Sequence, residues 1–86
     1  MRISRVEISE ETEAKILEKH GVRRVEVEQI LFSYFVSSRI SKNRYLAIGN
    51  YKRHITVFFE LLGSKAIVAT AYKSSKKQLK YFKKNG

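Results

Sequence analysis

The hydrophobic period of this sequence switches from helical to two between Ser33 and Phe35, and that switch limits the folds open to it. Upstream, apolar residues recur at helical spacing. Ser9 can cap a helix whose first turn carries Glu10, Glu11 and Glu13, because carboxylates suit the free N–H groups there. Ala14 and Leu17 are expected to form its buried side, with Ile16 near the edge. Lys19 and His20 fall in the last turn, and Gly21 supplies the left-handed residue that stops it. A second helix over 24–33 follows, with Val27, Ile30, Leu31 and Tyr34 opposite Glu26, Glu28 and Gln29.

From Phe35 the period is two. Residues 35–40, 44–51, 54–62 and 65–73 are rich in Val, Ile, Phe, Tyr and Thr and are divided by short polar turns, Gly63-Ser64 and the less usual Lys52-Arg53 among them. Residues 2–8 read as a further, first strand. A last basic helix over 74–84 has only Leu79 and Phe82 to anchor it. The pattern predicts an α+β, two-layer arrangement: an antiparallel sheet of three to four strands, five if the first joins, two N-terminal helices and a basic C-terminal helix. The helices are expected to cover one sheet face and leave the other available. At 86 residues, residues 1–86 make one domain, since so short a chain buries only roughly 60% of its unfolded surface.

Charge separates along the chain as sharply as period does. Residues 1–28 hold seven of the eight Glu against six Lys or Arg, whereas residues 29–86 carry twelve Lys or Arg against the single acid Glu60. A net charge of +10, concentrated in this way, points to a polyanionic partner, RNA above all. The competing explanation is a generally basic chain kept soluble by its lysines. There is no Cys, which excludes disulfides and thiolate metal sites and fits a reducing, cytoplasmic setting. No apolar stretch approaches the roughly 20 residues of a spanning helix, so a soluble protein without a membrane role is expected. Surface attachment through the lysine-rich helix is a weaker reading, because Leu79 and Phe82 are its whole apolar side.

Three pieces in register resemble one family. The stretch AKILEKHGV, from Ala14 to Val22, is similar to the lysine, histidine, glycine, valine signature of BrnT-type toxins. Arg44, Tyr45 and Gly49 match that family's RYxxxG strand, and Ala71 to Phe82 lies where it has a strand running into a basic terminal helix. Tyr72, Gln78 and Phe82 stand where the family usually places arginine, glutamate and tyrosine, and the Thr70-Ala71-Tyr72-Lys73 run resembles a sister group of small proteins in the RelE-like superfamily. The resemblance implies a RelE-like fold and, in active members, ribonuclease activity restrained by a co-encoded antitoxin.

RNA cleavage without a metal needs a group to take the 2′-hydroxyl proton, a group to protonate the departing oxygen, and cations about the phosphate. With no Asp, no Cys and two His far apart in sequence, no metal site or cofactor is expected. His20 is the first candidate for proton transfer, since imidazole titrates near neutral pH; the alternative is a favourable cation at the helix's negative end. Arg44 could hold phosphate, Tyr72 could stack a base or donate a hydrogen bond, and Lys73 could supply the charge Tyr72 lacks. Lys19, Arg39, Arg53, His54, Lys76, Lys77 and Lys80 are candidate RNA contacts, against an alternative of solvated strand residues and a charged tail. Two functions stay open: a toxin-like, metal-independent endoribonuclease of a type II toxin–antitoxin system, and a catalytically inactive RNA- or DNA-binding module of the same fold. RNA and an antitoxin protein are the expected partners, and self-association into a homodimer is left open.

Overall fold

The elements follow the period change closely. A computed structural model describes all 86 residues, in the order β1 (Arg5–Glu7), α1 (Glu10–His20), α2 (Arg24–Phe32), β2 (Phe35–Arg39), β3 (Arg44–Tyr51), β4 (Arg53–Leu62), β5 (Lys65–Lys73) and α3 (Lys76–Asn85). Ser9 caps α1 as its chemistry dictates, its hydroxyl accepting from the Thr12 N–H at 3.1 Å. Gly21, at φ 64°, ends the helix. The β3–β4 turn tightens onto Lys52 alone, at φ 67°, so that Tyr51 already pairs with Arg53.

The sheet runs β1-β5-β4-β3-β2. Its four long strands form the expected antiparallel meander, while β1 joins parallel to β5 along Arg5–Glu7 only. A parallel neighbour is possible because the two helices and three strands between β1 and β5 carry the chain far enough to return in the same sense. Since β1 meets β5 only at Lys65–Ile67, the rest of the β5 edge, out to Lys73, is unpaired.

Strand alternation divides the side chains into two sets. On the first face Ile55, Val57 and Phe59 of β4, with Ala47, Val68 and Ala71 beside them, meet Ile16, Val22, Val27, Ile30 and Leu31 in the buried core. There α1 lies over β5, and α2 over β3 and β4. The buried side of α1 is not the expected one. Ile16 is 1% exposed, whereas Leu17 is 50% exposed and Ala14 lies open, because α1 docks through the line Thr12, Ile16 and His20. Tyr34 also departs from expectation. It lies beyond the end of α2, exposed, with its ring 6.3 Å from Phe82.

The second face is not left wholly available. α3 packs across it at one end, because Gln78 bonds to Thr56, Phe82 meets His54 edge-on at 5.0 Å and the chain end reaches Val36. Pairing lays out the remaining face in rows across β5, β4, β3 and β2. Tyr72, Thr56, Ile48 and Val36 run beneath α3, then come Thr70, Phe58, Leu46 and Ser38, then Ile67, Glu60 and Arg44 with Ile40 beside it. The last two rows form an open sheet surface.

Gly49 fixes how closely α2 approaches β3. A Cβ there would lie 2.5 Å from Ile30 Cγ2 and 3.2 Å from the Tyr34 carbonyl oxygen, and Ile30 is too deeply buried to move aside. Gly49→Ala is expected to destabilise the fold by about 1–3 kcal/mol, read as a lower urea midpoint with unchanged slope. An unchanged midpoint would mean that α2 can withdraw from the sheet freely.

Candidate functional site

The free edge of β5 is where chemistry-bearing side chains from separate elements converge. His20 hangs from α1 one turn after Ile16, on the docking side, and its ring lies 5.8 Å from the Tyr72 ring at an angle of 51°. Tyr72 in turn lies 5.9 Å from Phe58. The half-buried Tyr72 and exposed His20 thus bracket an accessible edge, with Lys19 preceding the one and Lys73 following the other.

Beneath Tyr72 runs a hydrogen-bonded chain with a readable direction. Gln78 opens α3 in a capping box: its N–H donates to Ser75 Oγ at 3.2 Å, and its Oε1 accepts from the Ser75 N–H at 2.8 Å. The same Oε1 accepts from the Thr56 hydroxyl at 2.9 Å, so the 2.7 Å contact between Thr56 and Ser74 must be donated by Ser74. Gln78 Nε2 then donates to Tyr72 Oη at 2.8 Å. With its oxygen already accepting, the Tyr72 hydroxyl is free to donate outward. Thr56 is fully buried and Ser74 nearly so, which makes this polarity costly to reverse. Gln78, Thr56 and Ser74 were not foreseen as site residues. The Ser75-Lys-Lys-Gln78 spacing is a capping-box signal present in the sequence, but nothing there reveals that Gln78 also reaches β4 and β5.

The other candidate residues are dispersed. Arg44 shares a face with Tyr72 but pairs with Glu60, four residues from Thr56 on β4, and β4 separates the two strands. Their backbones are therefore about 16 Å apart, too far to grip one phosphate together with His20. Lys73 alternates to the side of β5 away from Tyr72. Arg39 braces the β2–β3 turn through the carbonyls of Ser41 and Lys42, at 3.2 and 3.0 Å, on the strand farthest from β1. His54 is held under α3 by Phe82, with Asn50 Nδ2 at 3.3 Å. Lys76 and Lys80 are exposed on α3, and Lys77 lines a shallow recess with Ser38, Leu46, Ile48, Gln78 and Tyr81.

Arg53, expected to contact RNA, is committed to the fold. Its Nε and Nη2 each donate to Glu26 at 3.0 Å, and Nη2 also donates to the Gly21 carbonyl at 2.6 Å. These bonds join β4 to the end of α1 and the start of α2. Hydrogen bonding to Arg53 holds the Glu26 carboxyl below its ordinary value of 4.5, against an opposing push from burial, and raises the guanidinium in return. Among the twelve cations of residues 29–86 only Arg53 and Lys65 form ion pairs. The ten others gather in two groups at opposite ends of the sheet. Lys52, Lys73 and the α3 lysines stand at one end, and Arg39, Lys42 and Arg44 at the other.

No helix is long and apolar enough to cross a membrane. No protein-family model matches the sequence, and no curated protein matches it. The crystal structure of the Brucella abortus ribonuclease toxin BrnT is similar to this one, aligning over 85% of this chain and 100% of its own with a TM-score of 0.68 and 22% identity. The chain therefore has a BrnT-type fold.

Glu26→Gln is expected to destabilise the protein by about 1–3 kcal/mol at neutral pH, because Arg53 loses its charged partner. The Glu26 carboxyl is depressed on folding, so its contribution is complete above pH 4.5 and is lost as pH falls through the lower folded value. Urea midpoints measured across this range should show a shallower acid loss in the variant. Parallel curves for the two proteins would remove the pair from the acid response.

Proposed function

We propose that the protein is a toxin-like, metal-independent endoribonuclease of a type II toxin–antitoxin system, acting at the free edge of β5. The observation that carries this reading is the convergence of His20 with an outward-donating Tyr72 on a chain that has the fold of a ribonuclease toxin. A proton acceptor and a proton donor on opposite sides of an accessible edge are what phosphodiester transfer requires.

In this mechanism His20 takes the proton of a ribose 2′-hydroxyl as its oxygen attacks the neighbouring phosphorus. The bond from phosphorus to the 5′ oxygen breaks, its electron pair going to that oxygen, which receives the Tyr72 proton. The products are a 2′,3′-cyclic phosphate and a 5′-hydroxyl end, after which water restores the Tyr72 proton and takes the one held by His20. Lys19, next to His20, forms no ion pair and supplies positive charge where negative charge accumulates on the phosphoryl oxygens. The lysines of α3 hold the RNA backbone without reading its sequence. A small antitoxin would silence such an enzyme by covering the β5 edge, and the unpaired cations favour an acidic partner.

Incubation of the purified protein with total RNA in a chelator should yield discrete fragments ending in cyclic phosphate. RNA that is retained but uncut would mark a binding module instead. His20→Ala and Tyr72→Phe should each lower cutting by roughly 10²- to 10⁴-fold with RNA retention preserved; a rate equal to wild type would remove that residue from the mechanism. Replacing Lys76, Lys77 and Lys80 together by Gln should reduce the log–log salt slope of RNA binding by about two to three units. A slope that does not move would mean that α3 leaves the phosphates untouched.

A further inference from the structure

The open half of the second face contains a hollow of about 480 Å³ that the reaction as described does not use. This is within the range of small-ligand sites, roughly 300–1,000 Å³. Phe58, Ile67, Ile40, Arg44 and Glu60 contribute side chains to it by strand alternation, whereas Phe59 and Val68 border it while their own side chains lie in the core. A bulge at Phe58 and Phe59 leaves Ala69 without a partner at its margin. The floor is therefore apolar and aromatic, and two charged groups stand at one side.

Those two groups are unusual in being left alone. Arg44 and Glu60 are direct cross-strand neighbours of opposite charge, a placement that favours pairing, yet neither takes part in any of the ion pairs or side-chain hydrogen bonds. Glu60 is also the only acid in the basic part of the chain. A lone carboxylate on a surface meant for a polyanion weakens phosphate binding, so its use is to be sought in a ligand group that donates protons. Phe58 connects this hollow to the reacting edge, since its ring lies 5.9 Å from that of Tyr72. A base resting on Phe58 belongs to a nucleotide within one step of a phosphate at Tyr72.

We propose that this hollow is a nucleobase subsite selective for guanine, seating the unstacked base next to the phosphate that His20 and Tyr72 process. The assignment rests on the ribonuclease reading for its place in the reaction, though not for the binding itself. A carboxylate presents two acceptors side by side. Guanine alone among the four bases answers with two adjacent donors, N1–H and the N2 amino group. In adenine and cytosine the amino group adjoins a ring nitrogen acceptor, and in uracil the single N3–H lies between two carbonyls, so each sets an acceptor against Glu60. Arg44, directly opposite, is placed to donate to guanine O6, the acceptor next to N1. Phe58 supplies the stacking surface by which proteins hold bases taken from single-stranded RNA.

The test is NMR titration of the isotope-labelled protein in chelator with the four nucleoside 5′-monophosphates. GMP should perturb Phe58, Glu60, Ile67 and Ala69 and bind on the order of tenfold to a hundredfold more tightly than AMP, CMP or UMP. Glu60→Gln should reduce the four affinities to within a few-fold of one another, and Phe58→Ala should weaken all four, each with an otherwise unchanged amide spectrum. Equal binding of the four nucleotides to the wild type, or GMP shifts confined to His20 and α3, would overturn the subsite. Mapping the cut ends in total RNA separates this inference from the reading beneath it. Cutting with no guanine at a constant position beside the scissile bond removes the subsite and leaves the nuclease. Selective GMP binding at Phe58 and Glu60 without any cutting keeps the subsite and removes the nuclease.

Discussion

Strict alternation along β4 is the constraint on which the rest of the structure depends. Ile55, Val57 and Phe59 must be dry, and once they face α1 and α2 the intervening Thr56, Phe58 and Glu60 are committed to the other side. Every neighbour in register inherits that division. It places Tyr72 beside Thr56, Leu46 beside Phe58 and Arg44 beside Glu60, so the chemistry of the second face follows from packing on the first. A slip of one residue would bury Glu60 in the core and expose Phe59, which the hydrophobic term alone forbids.

Covering of the second face is uneven, and that unevenness creates the site. α3 lies over the Thr56 end through a polar attachment, Gln78 accepting from Thr56 and donating to Tyr72 while Ser75 holds it in the capping box, with Phe82 as its apolar contact to His54. No buried side-chain polar atom is left without a partner. The satisfied chain sets the direction of the Tyr72 hydroxyl, while β1, by pairing with only the start of β5, leaves the edge beside Tyr72 accessible to His20. Short pairing of one strand and one polar helix anchor together bring the His20 ring and the Tyr72 hydroxyl to one accessible edge.

Electrostatics follows the same plan. Acids of the N-terminal part are largely paired, Glu11 by Lys15 and Glu13 and Glu28 by Arg24 within the helices, and Glu26 by Arg53 of β4. The positive charge of the later strands and α3 is almost entirely unneutralised and stands at both ends of the sheet, with the apolar strip of Phe58 and Leu46 between them on the second face. That arrangement suits an extended polyanion whose phosphates bind at the ends and whose bases lie on the strip.

Much of this was legible in the sequence. The change of period located both N-terminal helices, the four long strands and the basic last helix; Ser9, Gly21 and Gly63 marked ends and turns because capping and left-handed conformations are local properties. Val27, Ile30 and Leu31 were recognisable as core from spacing alone. Ile16 was not, since α1 carries too few apolar residues for its pattern to choose between Leu17 and Ile16, and the choice is made by the sheet against which the helix docks. The functional assignments separate in the same way. That His20 and Tyr72 carry usable chemistry is written in their side chains, but their meeting depends on α1 lying over β5 and on β1 stopping short. Arg44 and Arg53 have the same guanidinium group and looked alike in sequence. One is free on an open face and the other is bonded to Glu26 and Gly21, and only the register of β4 with its neighbours decided which. The chain by itself determined its elements and its charge; the tertiary structure decided the company each charged group keeps, because contacts between residues distant in sequence exist only once strand register and helix docking have been set.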